Sequence, residues 1–132
     1  MHVFVYGTLT EPDRVDEVLD GRPWSFAGDA TLRGLHSVDG RYPTLAPGGE
    51  VHGRLLETDA VDALDAYEGV DRGLYVRVDV PATGFEDATA AVYVGDPDRL
   101  DATDPIDWPG TGDLGGRVRR YVDANDVSIG SR

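Results

Sequence analysis

The sequence contains neither cysteine nor lysine, and the first absence excludes several kinds of site. Without cysteine the chain has no thiolate nucleophile, no cysteine-ligated zinc and no disulfide framework. The three histidines, His2, His36 and His52, have spacings that match no zinc motif, so we expect no metal site. No serine lies in the nucleophile turn of a serine hydrolase, which argues against that mechanism.

Long hydrophobic runs are also missing. The chain has no stretch of about 18 apolar residues that could span a membrane. Residues 1–9 (MHVFVYGTL) lack the basic segment and the long apolar stretch of a signal peptide. We therefore expect a soluble, cytoplasmic protein. Its 132 residues suit one domain, residues 1–132, which is large enough for a core without disulfides.

Positive charge is scarce. All 12 basic residues are arginine, against 25 Asp plus Glu, and the net charge is -13. This field repels nucleic acid and anionic membranes, so we expect neither as a partner. At 1 M salt the screening length is about 3 Å, which removes much of the self-repulsion. We hypothesise a halophilic source, which predicts a fold that loosens when salt is removed. The basic cluster of Arg117, Arg119 and Arg120 is expected to pair with neighbouring aspartates.

The first twenty residues are typical of a strand, a tight loop and a helix. Residues 2–6 (HVFVY) form an apolar run suited to a buried strand. Thr10 and Pro12 then mark the start of a helix, which is expected to end before Gly21.

The middle of the chain is less regular. Residues 24–38 indicate one or two strands interrupted by Gly28 and Gly34. Residues 41–49 (RYPTLAPGG) are expected to form a loop because of their proline and glycine content. Residues 50–57 (EVHGRLLE) indicate a further strand.

Two more strands are expected in the second half. Residues 74–80 alternate cleanly, and residues 88–94 could pair with them as a hairpin across the loop 81–87. The last third, from residue 95, is expected to be mostly loop. About five strands with two or three helices predict a single α+β domain. One helical pattern without a convincing cap occurs near the C-terminus, at Leu114, Val118, Tyr121 and Val122.

Glu68 is the first candidate for chemistry. Residues 59–68 predict a helix capped by Thr58 or Asp59 and ended by Gly69. The negative end of a helix disfavours a carboxylate, so Glu68 has an unfavourable charge for its position. In a cleft, desolvation would raise its pKa and suit it to proton transfer near neutral pH. The alternative is a solvated glutamate at a frayed helix end.

The second candidate is the loop Tyr6–Leu9 (YGTL). A strand that leads through a glycine into a helix presents backbone N–H groups that can bind a carboxylate or phosphate. The alternative is an ordinary strand-to-helix turn. With one glycine, the loop is neither a Walker motif nor a dinucleotide fingerprint.

Five short motifs occur in a fixed order along the chain: VYGTL, RYPTL, EVHGRLLE, LDAYEG and YVRV. This ordered set, over residues 3–94, resembles the gamma-glutamylcyclotransferase-like family. The resemblance implies a small mixed β-barrel with flanking helices. It also implies an enzyme, a transferase or lyase, that closes the glutamyl unit of a γ-glutamyl amine or γ-glutamyl amino acid to 5-oxoproline.

The resemblance also assigns roles to individual residues. Glu68, in LDAYEG, inherits the role of general base and then general acid. The backbone of Tyr6, Gly7, Thr8 and Leu9 would hold the α-carboxylate of the substrate. Tyr75, seven residues after the glutamate, would line the site, and Tyr42 is a weaker candidate for a pocket wall. A single carboxylate suffices for this reaction because nucleophile and electrophile belong to one molecule, and the resemblance implies no metal or cofactor.

Two other functions stay open at this point. The chain could be a non-catalytic module that binds a small carboxylate through the YGTL loop. It could also be a γ-glutamyl amide hydrolase, in which Glu68 activates water and the product is glutamate. The sequence does not indicate the leaving amine or the oligomeric state.

Overall fold

The computed structural model describes residues 1–131. Within these residues the chain forms six strands, three α-helices and two short 3₁₀ turns, the latter at Thr8–Thr10 and Val70–Arg72. The strands are β1 (His2–Val5), β2 (Trp24–Val38), β3 (Thr44–Thr58), β4 (Tyr75–Thr83), β5 (Thr89–Gly95) and β6 (Ser128–Ser131). The helices are α1 (Pro12–Leu19), α2 (Val61–Glu68) and α3 (Leu114–Ala124).

The strands close into one barrel in the order β1-β3-β2-β6-β4-β5. Strands β1 and β5 pair in parallel and complete the closure, and β4 also runs parallel to β6. The remaining neighbours are antiparallel. A mixed barrel with flanking helices confirms the expected fold class.

Strands β2 and β3 form one long hairpin of two 15-residue strands. Gly28 and Gly34 do not break β2; each lies at a shift in its register with β3. A side chain at Gly34, where φ is +101°, would meet the Val127 side chain at 2.8 Å, so only glycine fits this bend. The segment 24–38 is therefore one strand.

The predicted loop 41–49 is wrong from Thr44 onward, because β3 already begins there. Thr44, Leu45 and Ala46 are buried and pair with the end of β2. Pro47 was expected to lie in a loop. It instead lies opposite Leu35 in the sheet, just beyond a register shift, where the missing backbone N–H of a proline is tolerated.

The C-terminal region contains a strand that the sequence pattern did not predict. Strand β6 pairs with β2 on one side and β4 on the other, and it buries Ile129. The helix before it, α3, does have a cap: the Asp113 carboxylate accepts a hydrogen bond of 2.8 Å from the Gly116 N–H. Two expectations are therefore wrong. The region after residue 95, expected to be mostly loop, contains strand β6, and helix α3, expected to lack a convincing cap, is capped by Asp113.

The other helix starts also differ from the expected caps. Helix α1 has Glu11 at its N-cap position, while the Thr10 hydroxyl donates to the Gly7 carbonyl at 2.7 Å. Helix α2 begins two residues late, with Ala60 at the N-cap position. Thr58 binds the Ala60 N–H at 3.1 Å, so it stabilises the turn before the helix.

Two apolar clusters lie on opposite faces of the barrel strands, as expected from the alternation of side chains along a strand. The first includes Phe4, Leu55 and Val92 and extends to α3. The second packs α1 and α2 onto the barrel and thereby positions the end of α2 beside the end of β1; its buried members include Val3, Val5, Val15, Leu19, Leu56, Leu64, Ala91 and Tyr93.

Candidate active site

A cavity of about 550 Å³ opens where β1 leads into the first 3₁₀ turn. Five of the six tyrosines in the chain line it. All seven residues named by the sequence as site candidates lie in its wall, namely Tyr6, Gly7, Thr8, Leu9, Tyr42, Glu68 and Tyr75. The structure therefore brings together residues from four separate parts of the chain.

Glu68 is the last residue of α2 and lines the cavity. Gly69 ends the helix with φ +71°, as expected for a left-handed cap. A side chain at Gly69 would meet the Leu74 side chain at 2.8 Å, so a larger residue in the turn that presents Glu68 would be strained in conformation and would also displace Leu74.

Burial raises the pKa of Glu68 to about 7. Desolvation disfavours the charged carboxylate. Within residues 1–131 the carboxylate makes no hydrogen bond or ion pair that would offset this cost, and the side chain is half-buried. A carboxyl group with this pKa exists in both protonation states near neutral pH, which is the property that a proton-transfer group needs.

The tyrosines around Glu68 are held by backbone carbonyls. The Tyr6 hydroxyl donates to the Tyr93 carbonyl at 2.8 Å, and the Tyr75 hydroxyl donates to the Pro43 carbonyl at 2.5 Å. Burial raises the pKa of both phenols, and the charge of Glu68 adds to this effect. Both phenols therefore stay protonated near neutral pH and form fixed walls of the cavity.

The YGTL loop forms a further part of the wall, next to the end of α2. The Thr8 hydroxyl and the Tyr67 hydroxyl are 2.9 Å apart, which joins this loop to the end of α2. A Cβ atom added at Gly7 would have Pro43 as its nearest neighbour, at 3.7 Å. Because glycine has no side chain, the loop backbone stays accessible from this side. The first N–H groups of a 3₁₀ turn have no partner within the turn and can bind an anion. Leu9 is buried and anchors the loop in the apolar cluster beneath α1.

Tyr42 differs from the other candidates because it is 55% exposed and stands at the mouth of the cavity. Sequence reasoning missed five other lining residues that carry a phenol or a charge: Arg14, Arg41, Tyr67, Arg72 and Tyr93. Signals for two of them were available. Tyr67 precedes Glu68 within LDAYEG, and Arg41 opens the RYPTL motif.

Several other expectations concern residues outside the cavity. In the C-terminal cluster, Arg117 pairs with Asp107 at 3.7 Å, whereas Arg120 donates to the Thr111 carbonyl. The expected aspartate pairing therefore holds for Arg117 in the described part of the chain. No group of three possible metal-ligating side chains occurs within residues 1–131. No helix of that same span has the length and apolar character needed to cross a membrane.

Comparison with known proteins identifies the family. A family model described as gamma-glutamyl cyclotransferase, AIG2-like matches residues 3–110. The chain belongs to that family. AIG2-like protein A of Arabidopsis thaliana is 38% identical over 84 residues, which cover 60% of this chain and 50% of that protein. The matched segment thus spans half the length of this AIG2-like relative.

Solved structures support the same fold for this member of the gamma-glutamyl cyclotransferase, AIG2-like family. A gamma-glutamyl cyclotransferase superposes with a TM-score of 0.58 at 17% identity, over 92% of this chain and 97% of its own. An uncharacterized protein from Homo sapiens gives a TM-score of 0.59 at 18% identity, over 91% of this chain and 96% of its own. At identities of 17% and 18%, these comparisons support a shared fold, which consists of the barrel and its helices.

Proposed function

We propose that the protein converts a γ-glutamyl amine or γ-glutamyl amino acid to 5-oxoproline and a free amine. The observation that carries this proposal is the position of Glu68. Its carboxyl group, with a pKa raised to about 7 by burial, lines the same cavity as the YGTL loop. The family membership and the fold of a gamma-glutamyl cyclotransferase support the same reaction.

The proposed reaction needs one group that first takes and then returns a proton. Near pH 7 the α-amine of the substrate is mostly ammonium and cannot attack. Glu68 accepts its proton, and the free amine attacks the γ-carbonyl carbon of the same molecule. The bond from that carbon to the leaving nitrogen then breaks, and the nitrogen takes the proton back from Glu68. The ring nitrogen still carries one surplus proton after the attack, and it passes this proton by way of the Glu68 carboxylate to the departing amine, which leaves as ammonium. The products are 5-oxoproline and the amine.

In this proposal the other residues bind and orient the substrate. Backbone N–H groups of Tyr6–Leu9 hold its α-carboxylate, and Tyr75 and Tyr42 form pocket walls. Ring closure is intramolecular, so a bound conformation that brings the amine close to the carbonyl supplies much of the acceleration. No metal or cofactor takes part.

The test is a set of incubations with γ-glutamyl amines and γ-glutamyl amino acids in molar KCl, with mass spectrometry of the products. Release of 5-oxoproline supports the proposal. Release of glutamate would instead indicate hydrolysis by water that Glu68 activates. If no substrate is consumed but a small carboxylate binds in the cavity, the protein is a binding module.

Two substitutions with the same charge change make the test specific to Glu68. Glu68→Gln keeps the side-chain volume and removes the base, so turnover should fall by about 10² to 10⁴. Glu86→Gln is the matched control, because Glu86 is exposed in the β4–β5 loop and lies outside the cavity wall. Equal turnover in the two variants would refute the role of Glu68.

A further inference from the structure

The wall of the cavity has the opposite charge to the rest of the protein. Its charged side chains are three arginines, Arg14, Arg41 and Arg72, and one glutamate, Glu68. The chain as a whole carries a net charge of -13. A patch of positive charge at the mouth of a cavity raises the local concentration of anions.

Two of these arginines have no ion-pair partner within residues 1–131, namely Arg41 and Arg72. Arg14 lies 3.9 Å from Glu17, at the limit of an ion pair. Arg22, by contrast, forms a close ion pair, with its guanidinium 2.9 Å from the Asp62 carboxylate. In a chain with 25 acidic residues, exposed arginines without a carboxylate partner at a cavity mouth are available to a ligand.

Arg72 lies beside the turn that ends helix α2, directly after Glu68. The Arg72 guanidinium packs over Gly69, with its Nη2 atom 2.9 Å from the point where a Cβ would stand. Neither Arg41 nor Arg72 forms an ion pair with Glu68 within residues 1–131, so both guanidinium groups can bind a second charged group of a ligand.

We propose that Arg41 and Arg72 bind a carboxylate on the leaving amine, so that γ-glutamyl amino acids are preferred over neutral γ-glutamyl amines. This inference rests on the proposed cyclisation. In that reaction the YGTL backbone holds the α-carboxylate of the glutamyl unit, and the leaving amine extends from the γ-carbonyl toward the mouth. Exposed Tyr42 and Tyr67 stand at the same mouth and provide flat walls for its side chain.

The test compares γ-glutamylalanine with γ-glutamylalaninamide, which differ only in the terminal carboxylate. Both are assayed for 5-oxoproline at one fixed KCl concentration at which circular dichroism shows folded protein. The wild-type protein should favour the acid in kcat/KM by about 10-fold to 100-fold, as expected for charge-assisted hydrogen bonds. Because the arginines contact a group that does not react, the difference should lie in KM.

Substitution of the arginines should remove the preference. Arg41→Gln and Arg72→Gln should each lower the acid-to-amide ratio, and the double variant should bring it to about one. Arg33→Gln is the matched control: Arg33 is exposed, has no ion pair within residues 1–131 and lies outside the cavity wall, so the wild-type ratio should persist.

The outcomes separate this inference from the proposed function. If 5-oxoproline forms equally well from both substrates, or if the double variant keeps the wild-type ratio, the arginine inference is refuted and the cyclisation stands. If neither these two substrates nor any other γ-glutamyl compound yields 5-oxoproline, both are refuted.

Discussion

The Tyr93 hydroxyl donates a hydrogen bond of 2.6 Å to the Asp65 carboxylate, one turn before Glu68 on helix α2. Arg77 lies 3.3 Å from the other oxygen of the same carboxylate. Tyr93 and Arg77 are cross-strand partners in β5 and β4. Two neighbouring strands of the barrel thus hold α2 by one side chain, and they fix the helix end that carries Glu68.

Replacement of Tyr93 should loosen this attachment. Tyr93→Phe removes a hydrogen bond to a charged group, which should lower the free energy of unfolding by about 1.5 to 3 kcal/mol. Urea unfolding measures the change. Tyr121→Phe is the control, because no hydrogen bond to the Tyr121 hydroxyl occurs within residues 1–131 and its stability should stay near that of the wild type. A Tyr93→Phe protein as stable as the Tyr121→Phe control would contradict the account.

The raised pKa of Glu68 predicts a pH dependence of stability. The folded protein keeps a proton on Glu68 up to about pH 7, whereas the unfolded chain loses it near the ordinary value of 4.5. Between these values the folded state binds more protons, so the contribution of this group to stability falls as pH rises. Glu68→Gln removes the effect. Its stability relative to the wild type should therefore grow by about 2 kcal/mol from pH 5 to pH 8.

Urea unfolding of both proteins at the two pH values measures this difference. The Glu86→Gln protein, tested in parallel, should show no such change relative to the wild type, because Glu86 is exposed. A constant difference between Glu68→Gln and the wild type would mean that the folded protein does not hold the proton.

Gly69 should tolerate a side chain less well than another glycine with positive φ. Gly69→Ala combines a left-handed conformation, which costs about 1 to 2 kcal/mol, with a contact of 2.8 Å to Leu74. Gly21→Ala is the matched control, because φ there is +83° and nothing lies within 4 Å of the added Cβ. Thermal unfolding should show a larger loss for Gly69→Ala. Equal losses of thermal stability in the two variants would mean that the Leu74 side chain moves away from the added methyl group without lowering the stability.

The large negative charge predicts that salt stabilises the fold. Raising KCl from low concentration to 1 M shortens the screening length to about 3 Å and weakens repulsion among the carboxylates. The melting temperature should therefore rise with KCl. A melting curve that is the same at low and molar KCl would refute the hypothesis of a salt-adapted protein.

Local signals account for the parts of the molecule that could be predicted. Glu68 and Gly69 were found because a helix pattern, a left-handed stop signal and an unfavourable charge occur within a few residues. The hairpin of β4 and β5 was predicted from clean alternation over residues 74–80 and from a second strand-like segment, residues 88–94, across a short loop. These signals depend on a few neighbouring residues and need no knowledge of the rest of the chain.

The missed parts depend on distant partners. Strand β6 has the sequence SIGS, with one large apolar residue and a glycine, and it is a strand because β2 and β4 lie on either side of it. The start of β3 has the proline and glycine content of a loop, but β2 pairs with it. Arg41 and Arg72 are far apart in sequence, and only the closed barrel brings them to one cavity mouth.

The measurement that tests the central claim most directly is the pH dependence of kcat/KM for a γ-glutamyl substrate. If the buried Glu68 is the base, kcat/KM should rise about tenfold per pH unit below neutrality and level off near pH 7, the value to which burial raises its pKa. A rising limb near pH 4.5, the ordinary value for a glutamate, or a flat profile across this range would contradict the assignment of Glu68 as the proton-transfer group.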